Sequence, residues 1–361
     1  MTKLQVVVDG QYGSVGKGHI AGYLAAQEIA PLCIRVGGGN AGHSVVNPHS
    51  GLKHALRQIP AGAVTNPRAT LAIAAGSEVD YAVLANEVEN LEADGIKIRD
   101  RLYIDPQATA VQDRHAAVEQ EVGLTALCGS TGKGIGAARA ERIMRQAELV
   151  GQIPEFGAYG RLEPTAPLAR MHETYSAVQI EGTQGYGLGL HAGHYPFTTS
   201  GNCTAIDFLA AAQINPWTYV TLALEIFVVF RPHPIRVAGN SGPLLGETTW
   251  EALGLEPEYT TVTKKMRRVG AWDGKLATDA IAANGGYSMI RHARNPVKVA
   301  LTMADQISPA LKGATDPDVV WFDPTYQQFA GQMLADCGRR PLLVTTSDRT
   351  CVDMAGWEAL G

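Results

Sequence analysis

The sequence lacks the features typical of secreted, membrane-spanning or nucleic-acid-wrapping proteins. Its five cysteines are scattered without a CxxC pair, which argues for a reducing compartment and against a disulfide framework or a zinc site. The longest apolar stretch, residues 219–230, carries Glu225 and is too short to span a membrane. The N-terminus enters a strand-like run without a signal peptide. A net charge of −5 gives no basic footprint for nucleic acid. We therefore expect a cytoplasmic protein that binds neither nucleic acid nor membrane.

What the chain has instead is an alternation of short apolar runs and helical stretches. Runs at 4–8, 32–36, 71–75, 96–104, 177–180, 221–230, 297–302 and 342–345 predict strands, and residues 17–30 predict a helix. An acidic helix with an apolar stripe follows residue 75. This alternation predicts the α/β class, with a mostly parallel central sheet flanked by helices. No repeat or linker divides the 361 residues, so we expect a single domain spanning 1–361.

Clustered glycines suggest loops that approach a ligand closely, and the first cluster follows the first predicted strand. It reads GQYGSVGKG over residues 10–18, with Gly16, Lys17 and Gly18 opening the helix. Backbone N–H groups, the positive helix end and a lysine together form a phosphate cradle. The spacing departs from a standard Walker A motif, and Gly18 stands where a Ser or Thr would hold Mg²⁺. A tight strand-to-helix turn without a ligand is the alternative.

The second cluster, residues 37–42, satisfies GxGxxG and would suggest a dinucleotide fold. That fold requires an acidic residue for the ribose, yet there is no Asp or Glu between Glu28 and Glu78. The dehydrogenase interpretation fails on this point. His43 follows the loop and could serve as an acid beside a phosphate, although a structural histidine is the simpler interpretation.

Two later segments also offer anion-binding groups, and a third segment is a glycine-containing turn. Residues 129–136 open a helix with three arginines, which suits a monophosphate, with a solvated basic helix as the alternative. Residues 182–185 follow another strand. Residues 264–268 form a basic cluster that is either a surface patch or an anion-binding loop.

Taken in order, these motifs resemble the adenylosuccinate synthetase family over nearly the whole chain. The family's GQWGDEGKGK resembles GQYGSVGKGH at 10–19, and its NAGH is unaltered at 40–43. Its GTTGRGIGP, EGAQG and YPYVTSSNTT resemble residues 129–137, 181–185 and 195–204. Its aspartate loop, its guanine-reading TKLD and its GPDR resemble 258–268, 302–305 and 347–349. The resemblance implies the family's P-loop-type α/β fold and a carbon–nitrogen ligase driven by triphosphate hydrolysis.

The resemblance also implies a role for individual residues, which we group by ligand. The triphosphate would be held by residues of the glycine loop and the TKLD-like segment: Ser14, Val15, Gly16, Lys17, Gly18 and Asp305. The monophosphate nucleotide would be bound by Ser14, Asn40, Thr131, Arg145, Gln184 and Thr199. Aspartate would be bound by Thr263, Lys265 and Arg267. Catalysis would fall to Ser14, His43 and Gln184, and Mg²⁺ would contact Ser14 and the Gly42 carbonyl. Arg145 would come from a partner subunit, which implies a homodimer with shared active sites.

Three departures from the family pattern concern the ligand-contacting positions. Ser14 replaces the catalytic carboxylate, and a hydroxyl has far too high a pKa to be a general base near pH 7 without help. Lys265 replaces an arginine and loses a planar fork. Met303 replaces the lysine of TKLD, which favours ATP or dATP over GTP. These changes are most like the viral branch of the family, the 2-amino-2'-deoxyadenylosuccinate synthetases, which use dGMP in 2-aminoadenine nucleotide synthesis. A conventional synthetase using IMP and GTP, and a catalytically silent nucleotide-binding regulator, are the alternatives.

Overall fold

The computed structural model describes residues 2–218, 223–260, 265–286 and 296–357. Its strands are β1 (Lys3–Asp9), β2 (Leu32–Arg35), β3 (His43–Val46), β4 (Lys53–Leu56), β5 (Thr70–Ile73), β6 (Glu78–Asp80), β7 (Leu102–Ile104), β8 (Thr109–Val111), β9 (Arg161–Leu162), β10 (Ala177–Glu181), β11 (Ala223–Phe230), β12 (Ile235–Arg236), β13 (Arg268–Val269), β14 (Val297–Leu301), β15 (Pro341–Thr345) and β16 (Cys351–Asp353).

The helices connect these strands. They are α1 (Lys17–Ala26), α2 (Gly62–Thr65), α3 (Tyr81–Ala93), α4 (Asp113–Glu121), α5 (Leu124–Cys128), α6 (Ile135–Ile143), α7 (Thr165–Arg170), α8 (Ala205–Ala211), α9 (Gly274–Ala283), α10 (Pro317–Trp321) and α11 (Pro324–Cys337), with short 3₁₀ turns between some of them. In the part of the chain that is described, none of these helices combines the length and apolarity that crossing a membrane requires.

Ten strands form one sheet in the order β16-β15-β14-β11-β1-β10-β2-β5-β7-β9. Every neighbouring pair is parallel except β15 and β16, so the predicted mostly parallel central sheet is confirmed. β1 lies near the middle, between β10 and β11. A parallel sheet aligns the carboxyl ends of its strands along one edge, and loops at that edge are the usual place for a ligand.

Both faces of the sheet are buried, as strands in a parallel sheet require. Leu4, Val6 and Val8 of β1 pack in a core with Phe208 of α8 and Met333 of α11. The opposite face carries Val7 of β1 in a second core with side chains of α1 and α3. Period-two alternation along β1 therefore explains why its whole apolar run is buried.

Two predicted elements, the first helix and the strand at 96–104, are shorter in the structure than the sequence predicted. The first helix ends at Ala26 rather than at residue 30, and Ile29 is exposed. Pro31 disfavours the α conformation for the residue before it, and β2 starts immediately afterwards. The run at 96–104 supplies only a three-residue strand, β7, because a turn from Ile98 to Arg101 precedes it. The start of the run at 221–230 lies outside the described residues.

Helix α1 is packed against β3 so closely that its second residue must be glycine. A Cβ on Gly18 would lie 2.7 Å from the Cβ of His43 and 2.9 Å from the Ser44 carbonyl oxygen. The first turn of α1 therefore rests directly on the strand that begins with His43.

We predict that Gly18→Ala destabilises the protein by about 1–3 kcal/mol, because the added methyl overpacks the contact with β3. Gly331→Ala is the matched control, since Gly331 lies inside α11 and an added Cβ there would have no neighbour within 4 Å. That control should stabilise by ~0.5–1 kcal/mol through helix propensity. Urea unfolding midpoints measure both, and equal shifts in the two variants would contradict the contact.

Candidate active site

A deep cleft lies at the carboxyl edge of the central strands. Its volume is about 1280 Å³, which exceeds the usual size of a pocket for one small ligand. The glycine loop, the loop after β2, the loop after β10 and the loop after β14 all line it. The cleft therefore brings together glycine-rich and polar segments that are far apart in the sequence.

The glycine loop after β1 is shaped by left-handed backbone. Gly13, Ser14 and Gly16 have φ values of 89°, 57° and 79°, and Gly16 caps the N-terminus of α1. Glycine adopts this conformation without the steric cost that other residues incur. Ser14 adopts it at a cost, so its position must be held by neighbouring contacts.

Lys17 is buried at the base of this loop and is already paired. Its Nζ lies 3.0 Å from Asp9 Oδ2, at the end of β1, and 2.5 Å from the carbonyl oxygen of Gln184. Burial raises the pKa of Asp9 above its ordinary value, and the neighbouring ammonium opposes that rise. Lys17 therefore joins the glycine loop to the loop after β10, in addition to any charge it offers to a phosphate.

A second buried ion pair arises from strand register. Arg35 and Glu181 are the last residues of β2 and β10, and they are partners in the parallel ladder. Arg35 Nη1 lies 3.1 Å from Glu181 Oε1, and the other carboxylate oxygen accepts a hydrogen bond from the Ala61 N–H at 2.7 Å. His43 Nδ1 contacts the same Glu181 Oε1. A carboxylate thus fixes the orientation of the imidazole.

The environment of His43 favours the neutral imidazole. Burial and the adjacent Arg35 cation lower the pKa of His43 to about 3, although Glu181 opposes the shift. With Nδ1–H donating to Glu181, Nε2 of the neutral ring carries no proton, so it can donate to a phosphate only after the ring is protonated. An anionic phosphate placed beside it would raise its pKa and bring it closer to use as an acid.

Asn40 and Gln184 are brought together at the boundary between this cleft and a smaller cavity of about 490 Å³. Gln184 Nε2 donates to Asn40 Oδ1 at 2.8 Å, and Gln184 has a φ of 55°. Two amide side chains therefore stand side by side between the two spaces. This arrangement can offer both donors and acceptors to one polar ligand.

Ser14 is exposed to the cleft and contacts Arg267. The Arg267 guanidinium donates to the Ser14 hydroxyl oxygen. Arg267 belongs to an antiparallel hairpin, defined here as residues 258–260 and 265–267, in which Tyr259 pairs with Met266. The hairpin therefore meets the glycine loop at the position where the family carries its carboxylate.

The loop after β14 forms another wall of the cleft. Thr302 donates to the carbonyl oxygen of Val15 at 2.7 Å, which ties this loop to the glycine loop. Met303 has a φ of 58°, and its N–H donates to Thr345 Oγ1 at 3.0 Å. Burial raises the pKa of Asp305, which also lines the cleft.

Most of the residues predicted from the sequence line the main cleft. These are Ser14, Val15, Gly16, Lys17, Gly18, Asn40, Gly42, His43, Thr131, Gln184, Lys265, Arg267 and Asp305. Thr199 lines the smaller cavity, which shares Asn40 and Gln184 with the cleft. Arg145 lines neither space and is exposed beyond the end of α6. Thr263 lies outside the described residues.

The charged partners that hold this site were not predicted from the sequence. They are Asp9, Arg35, Glu181, Arg231 and Glu258. Four of them share a signal that was available: each is a single charged residue that closes or directly follows an apolar strand run. Glu258 has no such signal, because its partner is distant in sequence.

The described residues do not form a preassembled magnesium site. Among them, no cluster of three or more His, Cys, Asp or Glu side chains is arranged around a common point. Ser14 accepts a hydrogen bond from a cation, and the Asp9 carboxylate is engaged by Lys17. Mg²⁺ prefers one or two carboxylates together with phosphate oxygens. A metal bound at this part of the described structure would therefore take most of its ligands from phosphate oxygens and from neutral protein oxygens.

The fold and site are typical of an α/β nucleotide-binding protein: a parallel sheet with a phosphate-type glycine loop, a carboxylate-oriented histidine and a basic hairpin at its carboxyl edge. The family model described as adenylosuccinate synthetase matches residues 6–163 and 161–293. An adenylosuccinate synthetase of Pyrococcus horikoshii is 36% identical over 318 residues, which cover 87% of each chain. The chain belongs to the adenylosuccinate synthetase family and is a carbon–nitrogen ligase.

Solved structures agree with this assignment. The succinoaminodeoxyadenylate synthetase (PurZ) of cyanophage S-2L, bound to dGMP and to dATP as an energy donor, is similar with a TM-score of 0.78 and 27% identity. The similarity covers 97% of this chain and 94% of that one. Fully ligated adenylosuccinate synthetase from Plasmodium falciparum has a TM-score of 0.76 at 17% identity, over 97% and 99% of the two chains, and so supports the fold.

The Lys17–Asp9 pair allows stability to be separated from turnover. We predict that Lys17→Met destabilises the protein by about 3–5 kcal/mol, because it leaves the buried Asp9 carboxylate without a cation and with backbone N–H donors alone. Adding Asp9→Asn should recover most of that loss. Turnover should nevertheless stay more than ~10-fold below wild type in the double variant, because the cation at the phosphate cradle is absent.

Urea unfolding and phosphate release measure the two properties in the same preparations, with Asp9→Asn alone as the control. Turnover that returns to the level of Asp9→Asn in the double variant would show that Lys17 is structural and not catalytic.

Proposed function

We propose that this ligase joins L-aspartate to the 6-position of dGMP, giving 2-amino-2'-deoxyadenylosuccinate, with ATP or dATP as the phosphoryl donor. The observation that carries the proposal is the neutral Ser14 at the position of the family's catalytic carboxylate. The product would enter 2-aminoadenine deoxynucleotide synthesis, in the host cytoplasm if the chain is viral.

The reaction must convert a poor leaving group into a good one. The 6-oxygen of the purine is first phosphorylated by the triphosphate, and the aspartate amine then forms a bond to C6 while phosphate leaves. Transition states of this kind are stabilised mainly by positioning and by donors aimed at the developing charge. The glycine loop with Lys17 would hold the triphosphate, His43 would donate to the transferring group once the bound phosphates have raised its pKa and protonated it, and Gln184 would steady the 6-oxygen.

The monophosphate would lie along the boundary marked by Asn40 and Gln184. Both side chains line the cleft and the smaller cavity, while Thr131 and Thr199 line one space each. This distribution supports a nucleotide that extends from the cleft into the smaller cavity. Members of the family use a nucleoside triphosphate and Mg²⁺. When bound, the metal would neutralise phosphate charge, with Gly42 as the protein carbonyl offered to it.

Ser14 favours a purine with a 2-amino group for reasons of space and hydrogen bonding. A carboxylate at this position would lie against N1 of hypoxanthine, where carbon 2 carries only hydrogen. Guanine places an amino group there, and serine is short enough to leave room for it. The Ser14 oxygen has two lone pairs, and Arg267 uses one. The second can accept from the amino group, and the hydroxyl hydrogen remains available to donate.

For the triphosphate, Met303 supports an adenine base. It offers no ammonium to a guanine oxygen, unlike the lysine of the family's TKLD. Asp305 lines the same part of the cleft and could accept from the adenine 6-amino group, although a carboxylate also suits guanine donors. ATP or dATP is therefore the proposed donor.

A conventional reaction on IMP with GTP is the second candidate. The specific observation in its favour comes from the sequence relatives. The adenylosuccinate synthetase of Pyrococcus horikoshii is 36% identical to this chain, whereas the structural neighbour bound to dGMP is 27% identical. Sequence identity favours this candidate, and Ser14 favours dGMP. A silent regulator is the least supported alternative, because the cleft retains its phosphate-loop lysine, oriented histidine and basic hairpin.

We also propose a homodimer with shared sites. Arg145 lines neither cavity of its own chain, and it follows Ile143 and Met144, which are 70% and 63% exposed. Exposed apolar side chains next to an unburied arginine suit a surface that a second copy covers. Arg145 would then reach the monophosphate of the partner subunit.

We predict that kcat/KM is higher for dGMP than for IMP by about tenfold to a hundredfold. This range corresponds to the energy of one buried hydrogen bond to the 2-amino group together with the cost of leaving its partner unpaired. Each substrate is assayed with ATP, dATP and GTP, and phosphate release is measured with and without aspartate. Ser14→Asp should impair dGMP more than IMP. Ser14→Ala, which keeps the space, should impair dGMP less than Ser14→Asp does.

A tenfold or greater preference for IMP in the unmodified enzyme would establish the second candidate instead. A strong preference for GTP would refute the assignment of the donor. The absence of aspartate-dependent phosphate release with every combination would favour the regulator.

We predict that mixing two inactive variants restores activity if sites are shared. Arg145→Ala damages the site of its partner, and Lys17→Met combined with Asp9→Asn, which recovers most of the lost stability, damages its own, so a mixed dimer keeps one intact site. Partial turnover should appear once subunit exchange is confirmed by a tag on one variant. Confirmed exchange without any recovery would mean that Arg145 does not act across subunits.

A further inference from the structure

The basic hairpin is attached to the glycine loop through one fully buried arginine. Arg231 directly follows β11 and is 0% exposed. Its backbone is fixed by Gln11, whose side chain donates to the Arg231 carbonyl at 3.0 Å and accepts from its N–H at 3.1 Å. The guanidinium therefore starts from a rigid position between the first strand and the cleft.

The guanidinium of Arg231 contacts three different loops. Nη1 lies 3.1 Å from Glu258 Oε2, and Nη2 contacts the other Glu258 oxygen, so the pair is bidentate. Nη1 also donates to the Ser14 carbonyl at 3.2 Å, and Nη2 donates to Gln306 Oε1 at 3.3 Å. Bidentate pairs fix geometry as well as contributing energy.

These contacts close a ring through the hairpin. The Glu258 carbonyl accepts from the Arg267 N–H at 2.8 Å, and the Arg267 side chain donates to the Ser14 hydroxyl. The ring thus runs from the Ser14 carbonyl through Arg231, Glu258 and Arg267 back to the Ser14 hydroxyl. Ser14 is held at both its backbone and its side chain, which accounts for its left-handed conformation.

We propose that Arg231 and Glu258 are positioning residues that set where Arg267 stands relative to Ser14, and so where the amino-acid substrate meets the purine. The inference rests on the proposed function in one respect, that the hairpin binds the aspartate carboxylates. It adds two residues that would act through Arg267: Arg231, which is buried behind the cleft wall, and Glu258, which lines the cleft.

The chemistry of this pair predicts a selective effect. Arg231 is fully buried and the Glu258 side chain is 30% exposed, so the pair adds little net stability and its contribution is largely geometric. Neutralising Glu258 keeps its shape and one acceptor but weakens its hold on Arg231. The position of the hairpin relative to the glycine loop is then less fixed, while the contact between Lys17 and Gln184 is unchanged. Aspartate binding should suffer most, and nucleotide binding, for which the Lys17 and Gln184 contacts are kept, should change less.

The experiment compares Glu258→Gln with Glu247→Gln. Glu247 forms a bidentate pair with Arg268, the neighbour of Arg267, on the outer side of the same segment, with its Oε1 2.7 Å from Arg268 Nε. Glu258→Gln should raise the KM of L-aspartate by about tenfold or more, as the loss of a charge-assisted pair predicts. The KM values of both nucleotides should change less than ~3-fold, and Glu247→Gln should leave all three unchanged.

A double-variant cycle tests whether the effect passes through Arg267. Arg267→Lys alone should also raise the KM of aspartate, and combining it with Glu258→Gln should add little, because coupled residues are not additive. Additive effects would mean that Glu258 does not act through Arg267, and would overturn the inference. An unchanged KM for aspartate, or an equal rise for the nucleotides, would overturn it as well.

The outcomes also separate this inference from the proposed function. If the unmodified enzyme uses IMP and not dGMP, the assignment of substrate fails, and the same KM comparison is made with IMP. Melting temperatures of all variants show whether each is folded. A variant that melts like the wild type with an unchanged KM for aspartate would refute the positioning role alone.

Discussion

Buried charges at the carboxyl ends of neighbouring strands determine how this site is built. β1 ends at Asp9, β2 and β10 end at Arg35 and Glu181, and β11 is followed by Arg231. An isolated charge in such a position would cost several kcal/mol, so each needs a partner. Asp9 and Arg231 take partners from loops, Lys17 and Glu258, and the ladder pair holds His43. Forming the sheet therefore places the loops of the cleft as well.

The same ion pairs fix the geometry of the site but add little to the net stability of the protein. Replacing a buried pair by apolar groups is often neutral or stabilising, whereas removing one partner is costly. What the pairs supply is a fixed relation between segments distant in sequence: Lys17 contacts the loop after β10, and Arg231 contacts both the glycine loop and the hairpin. Preorganised donors of this kind cost no rearrangement when charge develops in a reaction. The strained φ of Ser14 fits this account, because its neighbours hold it from two sides.

The sequence predicted the sheet from local signals, and it predicted most cleft residues through the resemblance of its motifs to those of the family. Apolar runs ending in glycine marked β1 and β2, and motif order marked the loops. What it could not predict was pairing between distant residues. Arg231 and Glu258 are 27 positions apart along the chain, and no local pattern links them. Helix α1 ends early because Pro31 and the start of β2 override helical spacing, and Thr199 faces a second cavity whose walls come from several segments. Tertiary contacts, rather than local propensity, determine the Arg231–Glu258 pairing, the end of α1 and the position of Thr199.

The charge balance around Ser14 connects the substitution there with the rest of the cleft. Arg267 donates to a neutral hydroxyl, so residue 14 does not compensate its charge. The acidic neighbour of Arg267 is Glu258, and both oxygens of that carboxylate already contact Arg231. The hairpin therefore presents Lys265 and Arg267 as cations that a dicarboxylate can compensate, even though Lys265 lacks the fork of the family's arginine. A carboxylate at position 14 would compete for that charge. In the proposed reaction, serine at this position would therefore have two effects: it would leave room beside carbon 2 of the purine, and it would leave the cations of the hairpin free to bind the amino acid.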